Sequence, residues 1–298
     1  MMRKILFLTL LGCICSSACR TVTVEAPATK TVHPKPALLQ AKKSVAAKKL
    51  SNKDIPPALG GIIKSDSWVI YKDKQQEEFV GNVSYDNGAY IFRADYALSE
   101  RAKNTFSARG HVFLRQNNSD KSFYEMHAAR GSYNYNTQTG QLYSNAKEPV
   151  RLIYNDGKDQ TVTATAKQAQ FDLAARIYIL SGGVHILRQT AQDTQTVTAQ
   201  KATLKQFQNY ALLEGNATLS DTKRTLIADT IEYDGEHNTA VAYGQRPLLQ
   251  GQTEQGTFAV IADKLQSEND GQQINLSGKV QGWIVSPEIN DSKINTKF

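Results

Sequence analysis

The sequence predicts an all-β domain in which antiparallel hairpins are stacked along one axis. Two small-residue anchors recur between about positions 62 and 283, and apolar residues alternate with polar ones around each anchor. Long helical periodicity is absent from the same region. Stacked units of this kind bury one continuous core and leave the two end strands unpaired.

The first anchor is a glycine that follows a strand, and the second is an alanine that is often followed by aspartate. The glycines are Gly81, Gly110, Gly182, Gly215, Gly244 and Gly278, and the alanines are Ala94, Ala128, Ala166, Ala199, Ala228 and Ala262. The interval from an alanine to the next glycine is identical in five units and slightly longer in the unit that ends at Ala146, which takes the place of a glycine. The opposite interval varies, as expected for hairpins of free loop length. Ser65 precedes Gly81 by the same constant interval and adds a half unit in front of six units.

The alternation changes phase by one residue at each alanine. Positions −2, +2 and +4 from each glycine are apolar or small, but the inward positions around each alanine are −2, then +3 and +5. Such a slip predicts a bulge or corner at which an aspartate lies outside the core and bonds freed backbone N–H groups. The corner aspartates are Asp66, Asp95, Asp229 and Asp263, and other units carry Ala129, Lys167 or Gln200 there. A catalytic carboxylate is therefore not needed to explain the pattern.

The first residues predict a secretory signal of the lipoprotein type. A basic start at Arg3 and Lys4 precedes an apolar run that is too short for a transmembrane helix and then small residues before Cys19. Cys19 is therefore the expected site of lipid attachment, and Cys13, in "LLGC", is the alternative. A plain cleaved signal with a spare cysteine is the other interpretation. All three cysteines lie in this segment, so the rest of the chain has no disulfide and no thiol chemistry.

Four segments follow from this division: a signal peptide at 1–18, a tether rich in Lys, Ala and Pro at 19–57, the β-domain at 58–286 and a polar tail at 287–298. The tether has no apolar period and is expected to be disordered. Of the 35 basic and 28 acidic side chains, 10 and 2 lie within positions 1–57, which leaves 25 and 26 beyond them. The formal charge of +7 therefore comes from the first 57 residues, mainly the tether, and is no evidence for nucleic-acid binding.

The residue types that commonly act in catalysis or bind metal ions do not occur in the spacings that these functions require. The histidines have no metal-ligand spacing, and His111 and His185 fall on positions that face solvent. No phosphate loop, nucleophile motif or isolated carboxylate pair is present. We therefore expect a protein that is not an enzyme and that uses no metal and no cofactor.

The phrases "GNV", "IxADxxxY" and "AxGxxxL" resemble the OstA-like family, whose members include the periplasmic lipopolysaccharide-transport proteins LptA and LptC and the N-terminal domain of LptD. The resemblance covers about residues 62–285. It implies an elongated, twisted, V-shaped antiparallel β-jelly roll of about six and a half repeats. It also implies an interior groove for the acyl chains of lipopolysaccharide or lipid A, and end strands that join head to tail into a bridge between membranes.

The inward positions supply the apolar surface that such a groove needs, because each methylene shielded from water contributes about 0.8 kcal/mol. The expected groove residues are Phe79, Val83, Phe92, Val112, Leu114, Met126, Val184, Ile186, Leu213, Leu219, Leu226, Val260, Leu276 and Val280. Taken singly, each residue is better explained as core, and the groove is a hypothesis about the whole set. The alternative is therefore a structural or surface-adhesive β-repeat lipoprotein with a sealed core and no lipid cargo.

The end strands are the expected partner-binding edges, through addition of a strand from another OstA-like domain. The residues concerned are Ile63, Trp68, Ile70, Val280 and Trp283. The expected partners are LptC-like and LptD-like proteins, further copies of the chain and, through the anchor, a membrane. The expected location is the periplasm, at the inner leaflet of the outer membrane because no aspartate follows Cys19, with the inner membrane as the alternative.

Overall fold

The computed structural model describes residues 61–253, 256–268 and 273–285. The expected signal peptide (1–18, with Cys13), the expected tether (19–57, with Cys19) and the expected polar tail (287–298) lie outside the described residues. No described helix is long and apolar enough to cross a membrane.

The described chain is all-β, as predicted, and two short 3₁₀ turns (Arg101–Lys103 and Gln206–Gln208) are its helical elements. The first ten strands are β1 (Ile62–Lys64), β2 (Ser67–Tyr71), β3 (Gln76–Asp86), β4 (Tyr90–Glu100), β5 (Thr105–Asn117), β6 (Phe123–Asn134), β7 (Thr139–Tyr143), β8 (Val150–Asn155), β9 (Thr161–Ala166) and β10 (Gln168–Asp172). The others are β11 (Ile177–Gln189), β12 (Thr194–Lys205), β13 (Tyr210–Ser220), β14 (Arg224–Asp234), β15 (Thr239–Tyr243), β16 (Leu248–Thr253), β17 (Gly256–Ile261), β18 (Lys264–Glu268), β19 (Gln273–Ser277) and β20 (Gln281–Val285).

The described strands pair antiparallel in one continuous sheet, which a line of bulges folds into two facing layers. Each long strand crosses the fold line and contributes to both layers. In the first layer the short strands β2, β7, β10, β15, β18 and β19 join the segments 76–80, 96–100, 105–109, 130–134, 177–181, 201–205, 210–214 and 230–234. In the second layer β1, β8, β9, β16, β17 and β20 join the other halves of the same strands. The result is a jelly-roll-like β-structure.

The predicted phase slip is confirmed, and its cause at Gly81, Gly110, Gly182 and Gly215 is a two-residue bulge that begins at the anchor glycine. Gly244 and Gly278 lie instead in the breaks after β15 and β19. Gly110 and His111 of β5, for example, lie opposite the single residue Ala129 of β6. Both bulge residues take left-handed backbone angles, with φ of +72° and +47°. Glycine suits the first position because the corner aspartate at the start of the same unit lies against it. A Cβ on Gly110 would come within 2.2 Å of Asp95 Oδ2.

This contact explains the constant spacing of the anchors. Each anchor glycine contacts the residue that follows the preceding anchor alanine; in the half unit, Ser65 takes the place of the alanine. The same pairing recurs as Asp66 with Gly81, Asp229 with Gly244 and Asp263 with Gly278. The strand between alanine and glycine is thus a fixed element, and variation is confined to the hairpins away from the fold line.

The core lies between the two layers, and Phe92 of the second layer meets Phe106 of the first with ring centroids 5.4 Å apart. Among the expected inward residues, those that are fully buried are Phe79, Val83, Val112, Val184, Ile186 and Leu213. Those that are partly buried are Phe92, Leu114, Met126, Leu219, Leu226, Val260 and Leu276.

The expected inward residues at the two ends of the array are exposed and not buried. Val280 is 48% exposed, and the half-unit residues Ile63, Trp68 and Ile70 are exposed as well. The reason is that, in the described part of the chain, no unit lies beyond them to complete the second wall of the core. Trp68 packs on the ring of its strand neighbour Phe79, with ring centroids 5.1 Å apart, and its other face is left open.

Candidate functional site

An apolar cavity of about 740 Å³ lies between the layers in the half of the domain formed by β4–β12. Its first-layer wall includes Phe106, Tyr133, Phe171, Tyr178 and Leu204, and its second-layer wall includes Phe92, Leu114, Tyr124, Met126 and Leu152. Apolar and aromatic side chains dominate both walls. A cavity of this size falls within the range of small-molecule sites, which are concave and mostly apolar.

Small residues near the fold line leave the space that forms the cavity. Ala108, Ala128, Ala169 and Ala202 line it where longer side chains would meet across the layers. Gly131 also lines the cavity. A Cβ at this position would come within 2.8 Å of the Leu142 side chain. These small residues therefore contribute to the width of the cavity near the fold line.

Aromatic residues of the first layer line the side of the cavity away from the fold line, which we call the mouth. Tyr133 stacks on Phe171 with ring centroids 6.2 Å apart, and Tyr135 meets Tyr133 edge-on at 5.1 Å. Gly140, opposite Phe171 in register, lets the Phe171 ring lie across it, because a Cβ there would be 2.2 Å from the ring. Tyrosines at a boundary of this kind keep the ring in apolar surroundings and the hydroxyl near water.

The cavity brings together four of the predicted groove residues: Phe92, Val112, Leu114 and Met126. The other buried or partly buried members of the predicted set do not line it. Of these, Ile186 and Leu213 are almost completely buried, and Leu219 and Leu226 pack against the core of the later units. The expected continuous trough is thus open in one half of the described domain and closely packed at these positions in the other.

Several cavity residues were missed because the alternation was followed over too few positions. Phe106 and Tyr178 lie four residues before anchor glycines, and Tyr90 and Tyr124 lie four residues before anchor alanines. One more step of the same period-two pattern would have placed all four on the inner face. The signal was present in the sequence at the mouth side of each strand.

The corner aspartates make hydrogen bonds to the neighbouring backbone and side chains. Asp229 Oδ2 accepts a hydrogen bond from the backbone N–H of Gln245 at 2.9 Å, as predicted, whereas Asp66 accepts one from the side chain of Asn82. Asp95 lies 2.9 Å from His111 Nδ1 and raises the pKa of that histidine, with Glu148 contributing a second charge. Within residues 61–253, 256–268 and 273–285, no group of three or more potential metal ligands is present.

A second candidate site consists of the open edges of the two layers. Among the described strands, β1 and β2 pair on one side only, with β3, and β19 and β20 pair only with β18 and β17. Large apolar side chains are exposed at both ends, including Trp68 and Ile70 at the start and Trp283 and Ile284 at the end. Unpaired edges with apolar side chains are suited to strand addition.

Comparison with known proteins supports the resemblance read from the repeats. The family described as "Lipopolysaccharide-assembly, LptC-related" matches residues 98–245, about half of the chain. Over these residues the chain is similar to this lipopolysaccharide-assembly family. The match begins in β4 and ends just after β15, so it includes all or part of every strand that forms the cavity.

One solved structure with detectable similarity is that of LptH from Pseudomonas aeruginosa, described as the LptA homologous periplasmic component of the conserved lipopolysaccharide transport device. It is 14% identical, with a TM-score of 0.34, and the similarity covers 40% of this chain and 80% of that one. No curated protein matches the chain significantly.

Proposed function

We propose that this protein is a periplasmic carrier of lipopolysaccharide that shields the acyl chains of lipid A in the cavity between its layers. The observation that carries the proposal is the apolar cavity of about 740 Å³, with its aromatic mouth, inside the segment that matches the LptC-related family. Acyl chains that cross an aqueous compartment need such a surface, because each exposed methylene costs about 0.8 kcal/mol. The cavity is smaller than a whole lipopolysaccharide, so it would hold part of the lipid at a time.

The open edges support a role as one element of a bridge. The described array ends on β20 in the second layer and begins with β1 in the second layer and β2 in the first. A second copy, or another OstA-like domain, that placed its β1 beside β20 and its β2 beside β19 would continue the same antiparallel order in both layers. The proposed partners are therefore LptC-like and LptD-like domains and further copies of the chain.

The proposed attachment is a lipid on Cys19, with residues 19–57 as the tether and the inner leaflet of the outer membrane as the location. The inner membrane is the alternative location. The intact mass of the chain from a Gram-negative host, compared with those of Cys19→Ala and Cys13→Ala variants, reports which cysteine is acylated. An unmodified mass for the wild-type chain would contradict the anchor.

The cargo is tested with a pair of leucines at matched positions of two repeats. Leu114 and Leu219 both lie four residues after an anchor glycine, but Leu114 lines the cavity and Leu219 packs against the core. We expect lipid to co-purify with the chain from a Gram-negative host, as measured by native mass spectrometry with lipid extraction. Leu114→Gln is expected to lower the bound lipid per folded molecule at least fivefold, because it places an amide against the acyl chains.

Leu219→Gln is the control. It is expected to lower stability while the remaining folded molecules keep their lipid. A wild-type chain that carries no lipid, and takes up none when lipopolysaccharide is added, would contradict the carrier function and would favour the structural or adhesive lipoprotein with a sealed core.

A further inference from the structure

One arginine points into the interior of the domain. On β11 the side chains of Val184 and Ile186 are buried, and Arg188 follows at the next position of the same face. Its register neighbours on the two adjoining strands are Val162, which is fully buried, and Gln195, which is 3% exposed. The guanidinium therefore lies on the inner face of the second layer, where apolar residues are the rule.

Two glutamines hold this guanidinium in place. Nε and Nη2 of Arg188 donate to Gln160 Oε1 at 3.3 and 3.0 Å, and Nη1 donates to Gln195 Oε1 at 3.3 Å. Both glutamines are buried. Three of the five guanidinium N–H groups are thus used to orient the side chain, and the others remain for a ligand.

The charge of Arg188 is oriented without being neutralised by direct contact. Among the described residues no carboxylate lies within ion-pair distance of it, and both of its partners are neutral amides. The nearest acid in the network is Asp193, which accepts from Gln195 Nε2 at 3.3 Å through Oδ2, while its Oδ1 is buried without a hydrogen-bond partner in the described part of the chain. Because an interior charge is costly unless it is paired, an arginine fixed in this way is suited to an anionic ligand.

Arg188 lies on the same interior row as the wall of the cavity. The row runs in register from Gln116 through Tyr124, Tyr154 and Val162 to Arg188. Gln116 and Tyr124 line the cavity, and Arg188 is three strands beyond Tyr124, about 14 Å along the sheet. The first-layer half of the same strand also lines the cavity, through Tyr178 and Leu180.

We propose that Arg188 binds the phosphate group of a phosphorylated glycolipid whose acyl chains occupy the cavity. Arg188 is partly exposed, so a headgroup can reach it from the mouth, and a planar guanidinium with two remaining donors can bind a phosphate through paired hydrogen bonds. This inference rests on the proposed carrier function and adds to it the feature by which the cargo is recognised.

The test compares lipid A that carries its phosphates with the same lipid after enzymatic dephosphorylation, each added to the full chain. We expect the wild-type chain to bind the phosphorylated lipid at least tenfold more tightly. Arg188→Met, which keeps an unbranched apolar stem and removes the charge, is expected to bind both lipids equally, at the wild-type affinity for the dephosphorylated one. Arg188→Lys, which keeps the charge, is expected to restore part of the preference.

Arg176→Met is the matched control. Arg176 immediately precedes β11 and stacks on the exposed ring of Phe207, with its guanidinium carbon 4.9 Å from the ring centroid. Its loss is expected to leave the preference for the phosphorylated lipid unchanged. An equal loss in this variant would overturn the assignment to Arg188, because a general effect of positive charge would then explain the preference.

The possible failures can be distinguished. If the wild-type chain binds neither lipid, the carrier function fails and this inference fails with it. If the wild-type chain binds both lipids equally, or if Arg188→Met keeps the preference, the phosphate site is wrong while the carrier function stands. Inorganic phosphate that binds as tightly as the phosphorylated lipid would show a free-phosphate site and would overturn the recognition of a lipid.

Discussion

At the residue scale, the corner contacts show how one small geometric requirement organises the whole repeat. The bulge consists of two residues with left-handed backbone angles, and the first of them is glycine. Because this glycine has no Cβ, the corner residue at the start of the same unit can pack against it. Aspartate is one solution at this corner, and Lys167 and Gln200 are others, since their Cβ atoms occupy the same place against Gly182 and Gly215. The carboxylate is thus a local hydrogen-bond acceptor, and the contact itself does not depend on charge.

His111 gives a pH-dependent readout of one corner. Its hydrogen bond with Asp95, together with the charges of Asp95 and Glu148, raises the pKa of His111 above its ordinary value of 6.5. A raised folded-state pKa means that protonated His111 favours the folded state, and this contribution is present below about pH 6.5 and is lost as the pH rises through the folded-state pKa. NMR titration of the ring protons is expected to show the raised pKa.

The Asp95→Asn variant is expected to bring the pKa of His111 back towards its ordinary value. Glu148→Gln is expected to lower it less, because the Asp95 hydrogen bond is the larger cause. A titration midpoint that did not move in Asp95→Asn would show that the hydrogen bond is absent in solution.

At the element scale, equivalent strands of different units pack differently despite their common pattern. Leu114 has Phe92 and Met126 as register neighbours and lines the cavity, whereas Leu219 has Val197 and Leu226 and packs against the core. The repeat therefore specifies direction and register for each side chain, and the neighbouring side chains determine whether the space in front of it is filled.

This difference predicts unequal costs for the same truncation. Leu219→Ala is expected to lower the free energy of unfolding by about 2–3 kcal/mol, because it removes packed methyl groups and leaves a new void. Leu114→Ala is expected to cost about 1 kcal/mol, because its side chain already borders empty space. Urea unfolding of the two variants measures both values, and equal costs would mean that the cavity is filled in solution.

The comparison of these strands also shows how far the sequence could take the prediction. The strand directions, the corners and most inward residues follow from local spacing and from the period of two. Whether two inner faces leave room between them depends on the distance between the layers, to which small residues such as Ala108 and Gly131 and aromatic pairs such as Phe92 and Phe106 contribute together. The interior position of Arg188 did have a local signal, since it lies six residues after Gly182, on the same face as Val184 and Ile186.

At the scale of the whole molecule, the repeat pattern predicted burial at the two ends of the sheet, where the structure shows exposed residues. Val280 has the spacing of an inward residue, but inwardness requires a following unit, and in the described chain β20 pairs only with β17. In the proposed bridge, this exposed apolar position would be covered by a neighbour. That neighbour would be a partner domain or a second copy.

Head-to-tail association predicts that charges on either edge prevent it. Trp283→Lys and Ile284→Lys at one end, and Ile70→Lys at the other, are expected to weaken self-association at least tenfold in sedimentation-velocity measurements, because lysine opposes the addition of a strand. Phe207→Lys is the control, since Phe207 is 68% exposed but lies in a 3₁₀ turn away from the edges. Assembly that persisted in the edge variants would rule out these strands as the interface.

The position of the cavity has a consequence for movement along such an assembly. Open space lies in the half formed by β4–β12, whereas Leu213 and Ile231 of the later units are packed almost without exposure. A row of these domains would therefore present compartments separated by closed partitions. Cargo would advance in discrete steps, each of which requires the two layers to separate transiently. The rate of transport would then be set by this separation and not by free diffusion along the interior.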